Sequence, residues 1–364
     1  METLADKYVR RGITLLRASE GEANDAARLL DKVNSKIALK IREKDFQSMG
    51  KRGLKLMLAE IEQELKKYYT VELPEELRLG AIAVIQSEID WEVKTLMGEQ
   101  AKELVRPKNE LIVKRAASKT YQGKKISTWV NREFKHNSKQ VNSILTRGFV
   151  NTTPKPEIEA EIARLTGRSR RDVRTIVRSS FMHNATEAKE TVFNLNKNIV
   201  EGAVWISVLD NRTTPMLCGV RDGLLYDNER NPVGHSLPWD SGPGRLHWNC
   251  RSISVPKLFD VPLSGTRASV DAGKDYVSGD KTTRTGRVRK LSKDAREKGI
   301  YKVEEKTMRT KYEGWLKAQS KTNIDFVSDI LGKKNARLFR DGEVSLTQLG
   351  LQSPVARPLN RNSL

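Results

Sequence analysis

At 364 residues, 37% hydrophobic and 31% charged, with a mean hydropathy of -0.58, the chain is long enough for two or three domains but polar for a single globule. A formal net charge of +20 points to a polyanionic partner, and two cysteines exclude a disulfide framework. No apolar run reaches the roughly 18 residues of a membrane span, and the first residues lack the pattern of a signal peptide, so a soluble protein of a reducing cytoplasm is expected.

The charge is uneven. Residues 1–100 carry 17 basic and 18 acidic side chains, 101–150 carry 12 and 3, and 281–290 carry five basic and no acidic ones. Positive charge therefore sits in patches.

In chain order, Leu29, Leu30, Val33, Ile37 and Ile41, then Leu54, Met57, Leu58, Ile61 and Leu65, repeat at helical spacing. With Gly50 and Gly53 bracketing the break, they predict an antiparallel helical hairpin. Pro74, followed by Glu75 and Glu76, predicts a new helix start, with Ile82, Ile85, Ile89 and Val93 as its apolar stripe. Residues 113–150 interleave basic side chains with Tyr121, Trp129, Phe134 and Phe149, a mix suited either to tracking a phosphate backbone and stacking on bases or to an ordinary solvated helix face.

Pro154 and Pro156 break the chain, and a short helix over 157–165 closed by Gly167 is expected. Ser169 to Asp172 then open a second helix with the row Val173, Ile176, Val177, Phe181, Ala185, Ala188, Val192 and Leu195. His136 and His183 lie on helices without metal-ligand neighbours and read as surface or packed histidines.

Residues 204–258 hold both cysteines, two of the four histidines and three of the six tryptophans. Strands are expected at 204–209, 224–226 and 252–255, joined by long loops. The Ser, Thr, Gly and charge-rich stretch 262–290 reads as an extended basic arm. A last helical unit carries Tyr312, Trp315, Leu316, Phe326, Val327, Ile330 and Leu331, with Gly332 as a helix end. The expected fold is thus mainly α with a small α+β module of three strands.

The polar residues of 204–258 suggest two kinds of chemistry. Trp205, Asp210, Arg212, Thr213, Asp222, Gly223, Asn249 and Arg251 form a candidate structural clasp, in which Asp210 caps a turn and Arg251 pairs with Asp210 or Asp222. Cys218, His247 and Cys250 supply donors for zinc, with His235 or Asp222 as a fourth, while a Cys218–Cys250 disulfide and free packed thiols remain the alternatives. A catalytic reading would use Asp210, Asp222, His247 and Asn249 as a metal-dependent nuclease, but no nucleophile pair or acid/base spacing is visible, and no catalytic residue is assigned.

Four blocks in order, Trp205-x3-Leu209-Asp210-x-Arg212-Thr213, Cys218-x3-Asp222-Gly223, Gly234-His235-Ser236-Leu237-Pro238-Trp239 and Gly244-x2-His247-Trp248-Asn249-Cys250-Arg251-Ser252, resemble the phage Mu F-like minor head (head morphogenesis) proteins. The resemblance extends more loosely to Val177, Arg178, Ser179 and His183, and to 312–342. One departure is that Thr214-Pro215-Met216-Leu217 precedes Cys218, where many relatives carry an earlier cysteine. The resemblance implies a non-enzymatic minor head protein of a tailed phage, bound at the portal vertex. Its partners would be the portal protein, a capsid or scaffolding protein, and packaged DNA.

The division expected from these patterns is 1–110 as a helical docking domain, 111–200 as a basic helical region and 201–260 as the Mu F-like module. A basic arm over 261–300 and a helical unit and tail over 301–364 complete it. Lys114, Arg115, Lys124 and Lys125, with Lys281, Arg284, Arg287, Arg289 and Lys290 on the arm, are the expected non-specific contacts to double-stranded DNA. A nuclease, a toxin-like effector and a plain DNA-binding protein are the competing readings.

Overall fold

The computed structural model describes residues 2–44, 48–100, 103–274, 276 and 299–352. The chain is mainly helical with small antiparallel sheets, as expected. It divides into two compact units, one of residues 14–94 and 106–192 and the other of 1–13, 95–105 and 193–364. No helix among the described residues is long and apolar enough to cross a membrane.

The first unit is helical. Its elements are α1 (Leu4–Glu43, which also supplies residues to the other unit), α2 (Lys51–Lys67), α3 (Leu73–Gln100), α4 (Asn109–Ser118), α5 (Ile126–Val150) and α6 (Lys155–Leu195). The apolar rows of α1 and α2 are buried at Leu30, Val33, Ile37 and Ile41 and at Leu54, Met57, Ile61 and Leu65. Lys36 pairs with Glu64 at 3.2 Å and Lys40 with Glu60 at 2.9 Å, so the two helices run antiparallel. Gly50 sits at the N-cap of α2, and Gly53 lies inside the helix.

Pro74 does not start a helix. A π-helical turn, Tyr68–Glu72, joins α2 to α3 without a break, and the Leu73 N–H reaches back to the Tyr68 carbonyl. Proline lacks an N–H and crowds the carbonyl four residues before it, and the wider turn just upstream absorbs that misfit. The turn also sends consecutive tyrosines to different neighbours. Tyr68 Oη donates to the Ala26 carbonyl at 2.9 Å, whereas Tyr69 accepts from Asn137 and packs near Phe134.

Two further expectations change here. Ile82 is exposed, and the buried face of α3 contains Val84, Ile85 and Ile89 together with Glu88 and Glu92. Lys189 Nζ lies 3.6 Å from each of these carboxylates, which is what allows them inside. Residues 155–195 form one 41-residue helix through Gly167 rather than two. A helical glycine costs only about 1 kcal/mol against alanine, and the continuous buried row from Ile158 and Ile162 to Val173 and Ile176 outweighs it. His183 is packed, its Nε2 lying 3.3 Å from the Ala116 carbonyl.

In the second unit, β1 (Val200–Ile206), β2 (Leu225–Asp227), β3 (Pro232–Val233) and β4 (Ile253–Leu258) form an antiparallel sheet in the order β3-β2-β1-β4. Ala203 faces Tyr226 and Trp205 faces Ser254, so Trp205 and Tyr226 share one face. A separate pair, β5 (Thr266–Ala272) and β6 (Tyr301–Thr307), lies in register from Thr266 opposite Thr307 to Ala272 opposite Tyr301.

The start of the expected basic arm is therefore a strand. Its inward side chains, Arg267, Ser269 and Asp271, are polar and hydrogen-bonded. A hydropathy pattern cannot reveal such a face. Residues 277–298, with the expected DNA contacts of 281–290, lie outside the described residues.

The helices α7 (Tyr312–Thr322), α8 (Ile324–Leu331), α9 (Lys333–Asp341) and α10 (Leu346–Gln352) follow. Leu209, Tyr312, Trp315, Leu316, Phe326, Val327 and Phe339 form their common core. Asn323 caps α8 by accepting from the Phe326 N–H at 2.9 Å, and Gly332 ends it at φ 82°.

Candidate metal centre

Two loops carry the donor set. After β1 the chain turns through Thr214, whose carbonyl accepts from the N–H groups of Cys218 and Gly219 at 2.9 and 3.1 Å. The turn sets Cys218 at the start of a short 3-10 segment, Gly219–Arg221. Before β4, the Cys250 N–H returns to the His247 carbonyl at 3.1 Å. Asn249 occupies the left-handed region at φ 56°, a conformation that asparagine tolerates better than most residues.

These turns bring Cys218, His247 and Cys250 together, with their donor atoms within 4.8 Å of one another. Cys218 Sγ lies 3.6 Å from Cys250 Sγ and 3.0 Å from His247 Nε2. Two sulfurs on one tetrahedral ion with Zn–S bonds of about 2.3 Å would stand about 3.8 Å apart. His247 Nδ1 is 3.0 Å from the Trp248 carbonyl. If Nδ1 donates that bond, the Nε2 lone pair is left toward the sulfurs, the usual arrangement of a metal-ligating histidine.

The electrostatics divide the two thiols. Burial and the neighbouring Cys250 push the Cys218 thiol up. Burial acts the same way on Cys250, but the hydrogen bond with Cys218 and the His247 charge override it and hold this thiol well below its ordinary value. Despite its own burial, His247 is raised by Cys250 and by the Trp248 carbonyl. The cluster can hold a metal ion.

Neither expected fourth donor reaches the cluster as a free group. His235 Nε2 is 2.8 Å from the Leu225 carbonyl, and its ring stands edge-on to Tyr226. The Asp222 carboxylate accepts from the N–H groups of Ser207 and Tyr312, each at 2.7 Å, and takes both terminal nitrogens of Arg267 at 2.8 and 2.5 Å.

The clasp is built around two such closed carboxylates. Arg251 meets Asp210 through two bonds of 2.6 and 2.7 Å, which chooses between its two expected partners. Asp210 also accepts from the N–H groups of Arg212 and Thr213 at 3.0 and 2.9 Å, the expected turn cap. Burial would raise the Asp210 carboxyl, but the Arg251 charge and hydrogen bonds hold it below its ordinary value. Trp205 donates to Ser207 Oγ at 3.2 Å and packs edge-on against Trp239. Gly223 has φ 75°, and Asn249 contributes its backbone turn.

Sequence reasoning gave Arg267, Ser207, Arg221 and Tyr312 no part in the clasp, although Tyr312 opens the stretch of looser resemblance over 312–342. Arg221 binds the carbonyls of Leu217 and Pro238 and the Asp240 carboxylate while lying 5.7 Å from the Trp205 ring centroid. Arg267 and Tyr312 come from outside the 204–258 window, 45 and 90 residues from Asp222, where no local spacing announces them. Arg221 sits inside the Cys218-x3-Asp222 block, and that position was its available signal.

Comparisons with known protein families, with curated proteins and with solved structures give no match for this chain.

The expected DNA contacts are distributed differently. Lys114, Arg115, Lys124 and Lys125 are all exposed, and Arg115 also lies 3.7 Å from the buried Glu187, which binds Lys119 at 2.6 Å. Lys281, Arg284, Arg287, Arg289 and Lys290 lie outside the described residues.

Proposed function

We propose that this chain is a minor head protein of a tailed phage, acting at the portal vertex in head assembly and in contact with packaged DNA. The observation that carries the reading is the order of the four blocks resembling the Mu F-like proteins, together with their junction in one module. Within that module the first block supplies Trp205 and Asp210, the second Cys218 and Asp222, the third Trp239, and the fourth His247, Cys250 and Arg251.

The proposed role is structural rather than catalytic. Asp210 and Asp222, on which a nuclease would depend, are each bound by an arginine and by backbone N–H groups. The ion proposed for Cys218, His247 and Cys250 is zinc, which suits two thiolates and an imidazole. Bound there, it would tie the 214–221 turn to the 247–252 turn.

The test is association of the purified chain with the portal protein of its own phage, at high salt and with nuclease present. Association that survives both treatments supports the portal reading. Loss of association under both removes it.

A further inference from the structure

Helix α5 displays a basic stripe that composition alone does not resolve. Lys125, Thr128, Arg132, Lys135 and Lys139 recur at the spacing of one helix face and are all exposed, with Lys124 beside them in the preceding turn. At about 1.5 Å per residue the stripe is about 21 Å long.

These cations share a face on a segment that is nearly free of carboxylates. Some exposed cations elsewhere in the same unit are neutralised, as Lys36 is by Glu64, Lys40 by Glu60 and Arg170 by Asp31, while others, such as Lys51, Arg52 and Lys55, are not. Among the described residues, Lys124, Lys125, Arg132, Lys135 and Lys139 have no carboxylate partner. The only acidic residue in 111–156 is Glu133, which is buried. Like charges left unscreened along a rigid rod favour a polyanion as the counterpart.

The aromatic residues decide which polyanion. Binding of single strands relies on aromatic faces on which bases stack. Here Tyr121 is buried, and Phe134 packs near Tyr69. Trp129 has Lys124 and Arg132 at 5.4 and 5.5 Å from its ring centroid, and its indole N–H donates to the Tyr121 carbonyl at 2.8 Å. Tyr121, Trp129 and Phe134 are thus engaged within the fold, and the face from Lys125 to Lys139 presents charge.

We infer that this face of α5 tracks the phosphate backbone of double-stranded DNA without reading bases. The inference rests on the DNA contact proposed above and gives it a location. It replaces Arg115, already bound to Glu187, with Arg132, Lys135 and Lys139.

The experiment measures binding of the full chain to a labelled duplex of random sequence by fluorescence anisotropy over a salt series. Combining Arg132→Gln, Lys135→Gln and Lys139→Gln should lower the slope of log affinity against log salt by about 3 and weaken binding about tenfold or more. Unaltered circular dichroism is expected, because the three side chains are exposed. The charge-conserving set Arg132→Lys, Lys135→Arg and Lys139→Arg should retain the wild-type slope.

Wild-type binding with an unchanged slope in the Gln variant would overturn the inference. So would tighter binding to a single strand of equal length. If the wild type binds no duplex at all, the DNA contact in the proposed function falls too. Portal association is measured separately and can stand or fail by itself.

Discussion

Arg267 gathers four hydrogen bonds inside the second unit. It takes both oxygens of Asp222 and donates to the Ser207 and Thr310 carbonyls, and both members of the ion pair are buried. Removing one partner of such a pair strands the other charge in the interior. Arg267→Ala should therefore destabilise the protein by about 3–5 kcal/mol, read by urea denaturation. A loss below about 1 kcal/mol would mean that water replaces the guanidinium. Asp210 gives a pH-dependent counterpart. Its folded carboxyl is held below the ordinary value of about 3.9, so its stabilising effect is complete above that pH and is lost as pH falls through the folded value. The thermal midpoint of Asp210→Asn should lie below that of the wild type at pH 7, and the gap should narrow below about pH 4. A gap constant with pH would contradict the Arg251 pairing.

At the scale of elements, two glycines make opposite predictions. Gly167 lies inside α6 with open space where a Cβ would stand, so Gly167→Ala should stabilise the protein by roughly 0.5–1 kcal/mol. Gly219 follows Cys218, and a Cβ there would meet the Tyr312 ring at 2.6 Å. Gly219→Ala should cost about 1–3 kcal/mol, with thermal melts of the two variants shifting in opposite directions. Helices with apolar rows, such as α1, α2 and α7, were legible because burial follows their spacing. The turn geometry around Asp210 was legible because its side chain acts on N–H groups two and three residues away. What stayed hidden was non-local or polar: the inward face of β5, the glutamates inside α3, and the π-helical turn before Pro74. In each case a partner distant in sequence, or a backbone irregularity, replaced the periodic apolar signal.

For the molecule as a whole, the net charge of +20 is not a uniform coat, since residues 1–100 nearly balance while the face of α5 from Lys125 to Lys139 carries cations without paired carboxylates. Metal binding would act at this scale as well, because an ion that binds only the folded chain adds its binding free energy to stability. If zinc occupies Cys218, His247 and Cys250, purified protein should contain about one ion per chain. A strong chelator should then lower the thermal midpoint by about 10 °C, taking roughly 4 kcal/mol of linkage and 2–4 °C per kcal/mol. Cys250→Ser should remove both the ion and the response to the chelator. A midpoint unmoved by the chelator in metal-free protein would identify the pair as packed thiols.

The bonds to Asp222 also impose a schedule on synthesis. The carboxylate emerges from the ribosome 45 residues before Arg267 and 90 residues before the Tyr312 N–H that it accepts. At about 5–20 residues per second, the carboxylate waits roughly 2–9 s for Arg267 and roughly 5–20 s for the full set of its partners. Closure is thus deferred until α7 has left the exit tunnel, and a chain stopped near residue 260 would leave the ribosome with that charge still seeking water. The C-terminal third of the protein is in this sense the template on which the middle third completes its fold.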